Sequence, residues 1–315
     1  MRLLPTVRSS TGTSNTSYSG TSNLANFANV SFIKFPERVS SASSSLRTGQ
    51  TATALQARRQ LTMAWRSHGS TNNGLVDCLA DNGLIRTDRV KQAMKSVDRA
   101  HYAPAAPYRD SPQSIGHAAT ISAPHMHANA CESVLDFLQP GAKVLDVGSG
   151  SGYLTHVLAE LVKPGGTVVG VEHIQPLVDL AQKNTEKSSE GRQLLANGGI
   201  TYVKADGRKG WTGKGGEEGY DVIHVGAAAV GFHQDLIDQL KRPGSFSIAA
   251  ADACVERMFV PVRDSMLMTW IRLFMPVGER GEQFIYIVDK KEDGSVEKKK
   301  LYGVSYVPLT DAPQE

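Results

Sequence analysis

From Lys143 onward, short apolar runs alternate with segments of helical period, and no other feature of the 315-residue chain constrains its fold as strongly. Lys143–Val147, Thr167–Val171, Ile200–Val203, Tyr220–Val225 and Arg272–Val277 are apolar runs of strand length. Tyr153–Val162, Pro176–Thr185 and Gln234–Leu240 have the helical period and fall between them. Parallel neighbours need a long crossover, which a helix supplies, so this order predicts an α/β fold: a mostly parallel, doubly wound sheet with helices on both faces. Gln283–Asp289 and Tyr302–Leu309 have no helix between them and are expected to form an antiparallel hairpin at the sheet's C-terminal edge. Upstream, Leu75–Leu84, Asp88–Val97 and His125–Leu138 carry the helical period.

Residues 1–62 are of another kind. They include 21 Ser or Thr, and seven Lys or Arg against one acid, Glu37. Without a periodic apolar face such a segment cannot offset its ordering entropy, so it is expected to be a disordered basic leader. Its composition is that of an organellar transit peptide, with a plain extension as the alternative, and Met63 could serve as a second start giving a cytoplasmic form. The remaining residues, 63–315, hold 27 bases against 30 acids, a balance of −3, and form the predicted body. The basic excess therefore belongs to the leader. The body lacks the basic face with interleaved aromatics that nucleic acid requires, and Lys290–Lys291 and Lys298–Lys300 read as solvated strand ends. No nucleic-acid partner is expected, and no membrane partner, because no run approaches the ~18 apolar residues of a spanning helix. Cys78, Cys131 and Cys254 are too widely spaced for a zinc cluster and are expected to be reduced thiols in the cytoplasm.

Chemistry is concentrated after the first of the alternating strands. Lys143-Val144-Leu145-Asp146-Val147-Gly148-Ser149-Gly150-Ser151-Gly152 passes from an apolar run directly into a helix. Glycines in that context let backbone approach a ligand. The spacing is G-x-G-x-G, without the third glycine of a dinucleotide site. Glu172 ends the next strand, about twenty residues past the loop, where a carboxylate can accept both hydroxyls of a ribose. Asp206-Gly207 follows the strand after that, so three acids converge on one crevice at the strand ends. A diphosphate would seek bases and an open helix N-terminus; an acid-lined crevice suits the ammonium and sulfonium of S-adenosyl-L-methionine. His125 and His127 do not share a helix face and have no Cys or Glu at ligand spacing, so no metal is expected. Ser122 lies in no G-x-S-x-G elbow, which argues against a hydrolase.

Further motifs carry a resemblance. Asp110-Ser111-Pro112-Gln113-Ser114-Ile115-Gly116, Ala119-Thr120-Ile121-Ser122-Ala123-Pro124-His125-Met126-His127-Ala128, the glycine loop, Asp206-Gly207-Arg208, Gly226-Ala227-Ala228-Ala229 and Tyr306-Val307-Pro308-Leu309-Thr310 together resemble the protein-L-isoaspartate (D-aspartate) O-methyltransferase family, eukaryotic type, from Met63 to Asp311 with one break. The resemblance implies a Rossmann-like, S-adenosyl-L-methionine-dependent methyltransferase fold. It implies methyl transfer to the free carboxyl of isoaspartyl residues, the ester then collapsing through a succinimide towards normal aspartate. Isoaspartyl proteins and peptides would be the partners, and a monomer is expected. Ser122 would be the catalytic residue that orients the substrate carboxylate; by spacing alone it could equally cap the helix after Pro124. The cofactor would be held by Ala119, Thr120, Ile121 and Ser122, by His127, and by Asp146 with Gly148, Ser149, Gly150, Ser151 and Gly152 at its methionine portion. Glu172, with His173, would hold the ribose, Asp206 and Gly207 the adenine edge, and Thr310 would close the site, while His125 would stabilise the loop.

The break is an insertion. Between Gly244 and Arg272 the chain adds Ser245–Ile271, 27 residues of which 17 are apolar, in place of a tight turn. Within it Arg257–Val262 nearly repeats Arg272–Val277, so two segments compete for one strand position; the second, followed by Gly278, is the expected strand. Two alternatives remain open on sequence alone: a small-molecule methyltransferase of the same fold, and an inactive binding module whose sheet the insertion has spoiled.

Overall fold

The computed structural model describes residues 67–241, 270–279 and 281–309. The leader, Arg257–Val262 with the rest of 242–269, and Thr310 lie outside the described residues. Helices α1 (Asn72–Asp81) and α2 (Asp88–Ser96) come first, followed by a 3-10 turn, Arg99–His101. A small hairpin of β1 (Gln113–Gly116) and β2 (Ala119–Ile121) leads into α3 (Pro124–Val134). The alternating part then runs β3 (Lys143–Val147), α4 (Tyr153–Leu161), β4 (Thr167–Glu172), α5 (Gln175–Thr185), α6 (Ser189–Ala196), β5 (Ile200–Lys204), β6 (Val222–Val225) and α7 (Gln234–Asp238). Strands β7 (Trp270–Val277), β8 (Gln283–Lys291) and β9 (Val296–Val304) complete it.

The main sheet has the order β5-β4-β3-β6-β7-β8-β9. Strands β3 to β7 are parallel where they pair, and β8 and β9 pair antiparallel at the edge. Side chains alternate between two cores: Val144, Val168, Val222 and Phe274 pack into one, Leu145, Val169, Ile223 and Leu273 into the other. Burial on both faces explains why these strands read as unbroken apolar runs. After β3 the chain winds outward through β4 to β5, then returns to lay β6 on the opposite side of β3. Loops leaving β3 and β6 therefore diverge at their C-terminal ends, opening a crevice.

Two strand boundaries differ from the sequence expectation. Trp270 and Ile271, counted with the insertion, are the first residues of β7, and Ile271 is buried. Their apolar character continues that of the strand, so sequence alone offers no place to divide them. Strand β9 occupies Val296–Val304 instead of Tyr302–Leu309. Lys298–Lys300 are mid-strand: an edge strand with a solvated face shows no apolar alternation, and the ammonium groups of two of its lysines sit over aromatic rings, the Lys298 Nζ 4.2 Å from the Phe232 centroid and the Lys300 Nζ 3.3 Å from that of Phe284. Tyr306–Leu309 instead form a strap across the loop after β6, with the Ala228 N–H donating to the Val307 carbonyl at 2.8 Å and the Leu309 N–H to the Ala228 carbonyl at 2.7 Å. The β1–β2 hairpin and α6 were not expected from the pattern. Both are too short for periodicity to reveal.

Candidate active site

The loop after β3 must reverse direction and start α4 within a few residues. Gly148, Gly150 and Gly152 take φ values of 79°, 52° and 87°, the left-handed region open to glycine. At Gly152 there is no room either: a Cβ would sit 2.6 Å from the Tyr202 hydroxyl and 3.0 Å from the Ala181 Cβ. At Gly148, a wall residue of the crevice, the nearest atom to such a Cβ is 3.9 Å away, an ordinary contact. A side chain there would fill the crevice.

That crevice is walled by Gly148–Ser151 and Asp146 from the β3 end, Thr120–Ser122 from the hairpin, and His127 from α3. Tyr153 and Leu154 of α4, His224 and Gly226 of the β6 end, and Tyr306 of the strap complete it. The sequence-predicted Thr120, Ile121, Ser122, His127, Asp146, Gly148, Ser149, Gly150 and Ser151 are thus brought to one cleft. Ala119, Gly152, Glu172, His173, Asp206 and Gly207 do not line it.

Asp146 is 1 % exposed at the base. The Thr155 hydroxyl donates to its Oδ2 at 2.6 Å, and His224 Nδ1 donates to its Oδ1 at 2.8 Å. His224 stacks on Phe274 with ring centroids 5.6 Å apart. Glu172 stands behind the glycine loop. Its Oε2 accepts the Gly150 N–H at 3.2 Å, and its Oε1 accepts the N–H groups of His173 at 2.8 Å and Ile174 at 3.3 Å. Asp206 is paired with Arg208 through two bonds of 2.9 Å, which hold its carboxyl below the usual range. Gly207 lies against Val147, where a Cβ would come within 2.4 Å of Cγ1.

Ser122 is held by its backbone: its carbonyl accepts from Arg99 at 2.8 Å. The α3 helix is capped by Asp110, whose Oδ1 accepts the His125 N–H at 3.0 Å and faces His125 Nδ1 at 2.8 Å, so His125 steadies the helix start and Ser122 does not cap it. His127 is buried, and burial together with the Arg99 charge pushes its imidazole well below the ordinary pKa of 6.5. The strap is clamped by Gln283, whose Oε1 accepts the Tyr306 N–H at 2.6 Å and whose Nε2 donates to the Tyr306 carbonyl at 3.2 Å.

Sequence reasoning missed His224, Gly226, Tyr153, Leu154 and Tyr306 as lining residues. A histidine between Ile223 and Val225 in an otherwise apolar strand was a signal, and Gly226 and Tyr306 each open a motif that carries the resemblance; Tyr153 and Leu154 pass for core.

The cleft suits S-adenosyl-L-methionine. Among the described residues no Lys or Arg lines it, Asp146 places a carboxylate in its wall, and Ser149 Oγ is buried without a protein partner. A diphosphate would find no cation there. Among the described residues no group of three or more His, Cys, Asp or Glu side chains is placed to hold a metal, and no helix is long and apolar enough to cross a membrane.

A parallel sheet whose order reverses at β3, with a glycine-walled cleft at that reversal, defines the Rossmann-like methyltransferase class. Within that class, the model of the family "Protein-L-isoaspartate(D-aspartate) O-methyltransferase" matches residues 70–265 and 266–314. The chain belongs to this family. It is 43 % identical over 253 residues to the protein-L-isoaspartate O-methyltransferase of Caenorhabditis elegans, covering 80 % of this chain and 98 % of that protein. It is 42 % identical to the enzyme of Triticum aestivum, over 76 % of this chain and 91 % of that one. Among solved structures, a Plasmodium falciparum chain described as a protein-L-isoaspartate O-methyltransferase, in complex with S-adenosyl-L-homocysteine, superposes with a TM-score of 0.63 at 30 % identity, over 77 % of this chain and 99 % of that chain.

Proposed function

We propose that the chain is a protein repair methyltransferase, which moves the methyl group of S-adenosyl-L-methionine to the free carboxyl of L-isoaspartyl and D-aspartyl residues in damaged proteins. The observation that carries this is that the glycine loop, the Thr120–Ser122 segment and Tyr306 of the strap wall a single cleft. When bound, the cofactor supplies an electrophilic methyl group on a sulfonium. Gly148–Ser151 offer backbone groups and the unpartnered Ser149 hydroxyl to its methionine portion, and Asp146 sets the local charge. Glu172 acts from behind by fixing the Gly150 amide. No strong base is needed, because a carboxyl with a pKa near ~4 is already ionised at neutral pH. The protein's task is to position: Ser122 presents its hydroxyl to the substrate carboxylate, and the Tyr306 strap restricts water on the other side. Incubated with labelled S-adenosyl-L-methionine, the full chain should label an isoaspartyl peptide and leave its aspartyl twin unlabelled. Equal labelling of both peptides, or activity confined to a small acceptor, would overturn the assignment.

The proposal includes a monomer acting in the cytoplasm on isoaspartyl proteins and peptides, a leader over 1–62 that can direct some copies to an organelle, and a methyltransferase body over 63–315 whose insertion is dispensable. The acid-poor, Ser- and Thr-rich composition of the leader supports the targeting role. A fluorescent reporter fused to residues 1–62 should collect in an organelle; a diffuse signal would remove that role.

A further inference from the structure

Arg99 begins the 3-10 turn after α2, where the Asp98 carboxylate accepts the Ala100 N–H at 2.9 Å. Arg99 is 0 % exposed and is among the largest fully buried side chains of the described residues. A guanidinium buried this deeply is ordinarily matched by a carboxylate, because an unpaired interior charge is expensive. Here neither hydrogen-bond partner is one. Its Nη2 donates to the Ser122 carbonyl at 2.8 Å, its Nη1 lies 3.3 Å from His127 Nδ1, and its Nε is buried without a partner. The guanidinium carbon sits 5.1 Å from the centroid of the Tyr153 ring. Asp110 contributes attraction at longer range; its Oδ1 bonds His125, while its Oδ2 is buried without a hydrogen-bond partner. Ser122, His127 and Tyr153 all line the cleft, and Arg99 does not.

Arginine can only donate, so His127 Nδ1 must accept, and a neutral imidazole that accepts at Nδ1 carries its proton on Nε2. Among the described residues the His127 imidazole has no other hydrogen-bond partner, so that N–H is left for a ligand. We propose that Arg99 is a positioning residue of this cleft: it fixes the Ser122 segment through its carbonyl and holds His127 as the neutral Nε2–H form, a donor for a bound carboxylate. The carboxylate belongs either to the isoaspartyl residue or to the methionine end of the cofactor. The inference rests on the proposed function for its ligand, but the tautomer is independent of any substrate.

In the full chain labelled with 15N-histidine, the His127 imidazole, assigned by its loss in His127→Gln, should show the neutral Nε2–H pattern throughout the range in which free histidine titrates, around pH 6.5. A Nδ1–H pattern, or protonation in that range, overturns the proposal without reference to activity. Arg99→Met should leave His127 as a mixture of tautomers and lower kcat/KM for the isoaspartyl peptide about 100-fold. Arg99→Lys, whose ammonium reaches one acceptor but not both, should recover part of that loss. Should Arg99→Met fail to fold, the wild-type tautomer and Arg99→Lys still decide the matter. A raised peptide KM assigns the carboxylate to the substrate, weaker calorimetric binding of S-adenosyl-L-homocysteine assigns it to the cofactor, and neither change overturns the role. An Nε2–H tautomer in a chain that ignores isoaspartyl peptides would sink the proposed function and leave the tautomer assignment standing.

Discussion

Replacing Asp146 by alanine should destabilise the protein by about 1–3 kcal/mol for each buried hydrogen-bonding group left without its partner, and weaken cofactor binding. Two buried groups lose their acceptor at once, the Thr155 hydroxyl at 2.6 Å and His224 Nδ1 at 2.8 Å. Thr155 belongs to α4 and His224 to β6, so the carboxylate ties together the two elements that diverge at the crevice. Asp146→Asn separates structure from charge. The amide oxygen can still accept from His224, and the amide N–H can donate to the Thr155 hydroxyl, which accepts as readily as it donates. Thermal unfolding should show Asp146→Asn close to wild type and Asp146→Ala far below it. Calorimetry with S-adenosyl-L-homocysteine should show weakened binding in both. Wild-type stability in Asp146→Ala would mean that the pair contributes nothing to the crevice.

Glu172→Ala and Ser122→Ala should fail in opposite ways. Glu172 binds three backbone N–H groups, one of them in the glycine loop, through bonds of the charge-assisted kind. Its loss frees Gly150, and cofactor affinity should fall by about 10- to 100-fold, corresponding to roughly 1.5–3 kcal/mol for hydrogen bonds to a charged group. Ser122 has no such structural task. Its carbonyl is held by Arg99, whatever the side chain, so Ser122→Ala should keep cofactor affinity and lose turnover by about 100-fold through misplacement of the carboxylate. Calorimetry against kcat for the pair decides between these roles. The reverse pattern would show that Ser122 belongs to the cofactor site and Glu172 to the substrate site.

Much of the fold was legible because its cause is local. The runs at Val144–Val147, Val168–Val171 and Val222–Val225 are apolar without alternation because each is covered on both faces, and this pattern is visible without coordinates. The glycine loop was equally legible, since left-handed backbone at Gly148, Gly150 and Gly152 demands glycine whatever surrounds it. Strand β9 was misplaced because an edge strand with a solvated face obeys no such pattern. At the site, Thr120–Ser122, His127, Asp146 and Gly148–Ser151, grouped in the sequence by motif, line one cleft. The partners of each carboxylate were not so grouped, because Thr155, His224 and Arg208 reach them through packing that no spacing rule encodes.

By itself, then, the sequence determined the order of strands and helices, the glycine turn and the family, properties that follow from neighbours along the chain. Only the tertiary structure decided that Asp146 and Glu172 spend their oxygens on the protein, that Tyr306–Leu309 strap the loop after β6, and that Arg99 lies behind the cleft with no carboxylate bonded to it. Those facts depend on where side chains distant in sequence meet, Asp146 with His224 across two strands and Arg99 with Ser122 across a hairpin, where burial turns each contact into a constraint on charge and tautomer.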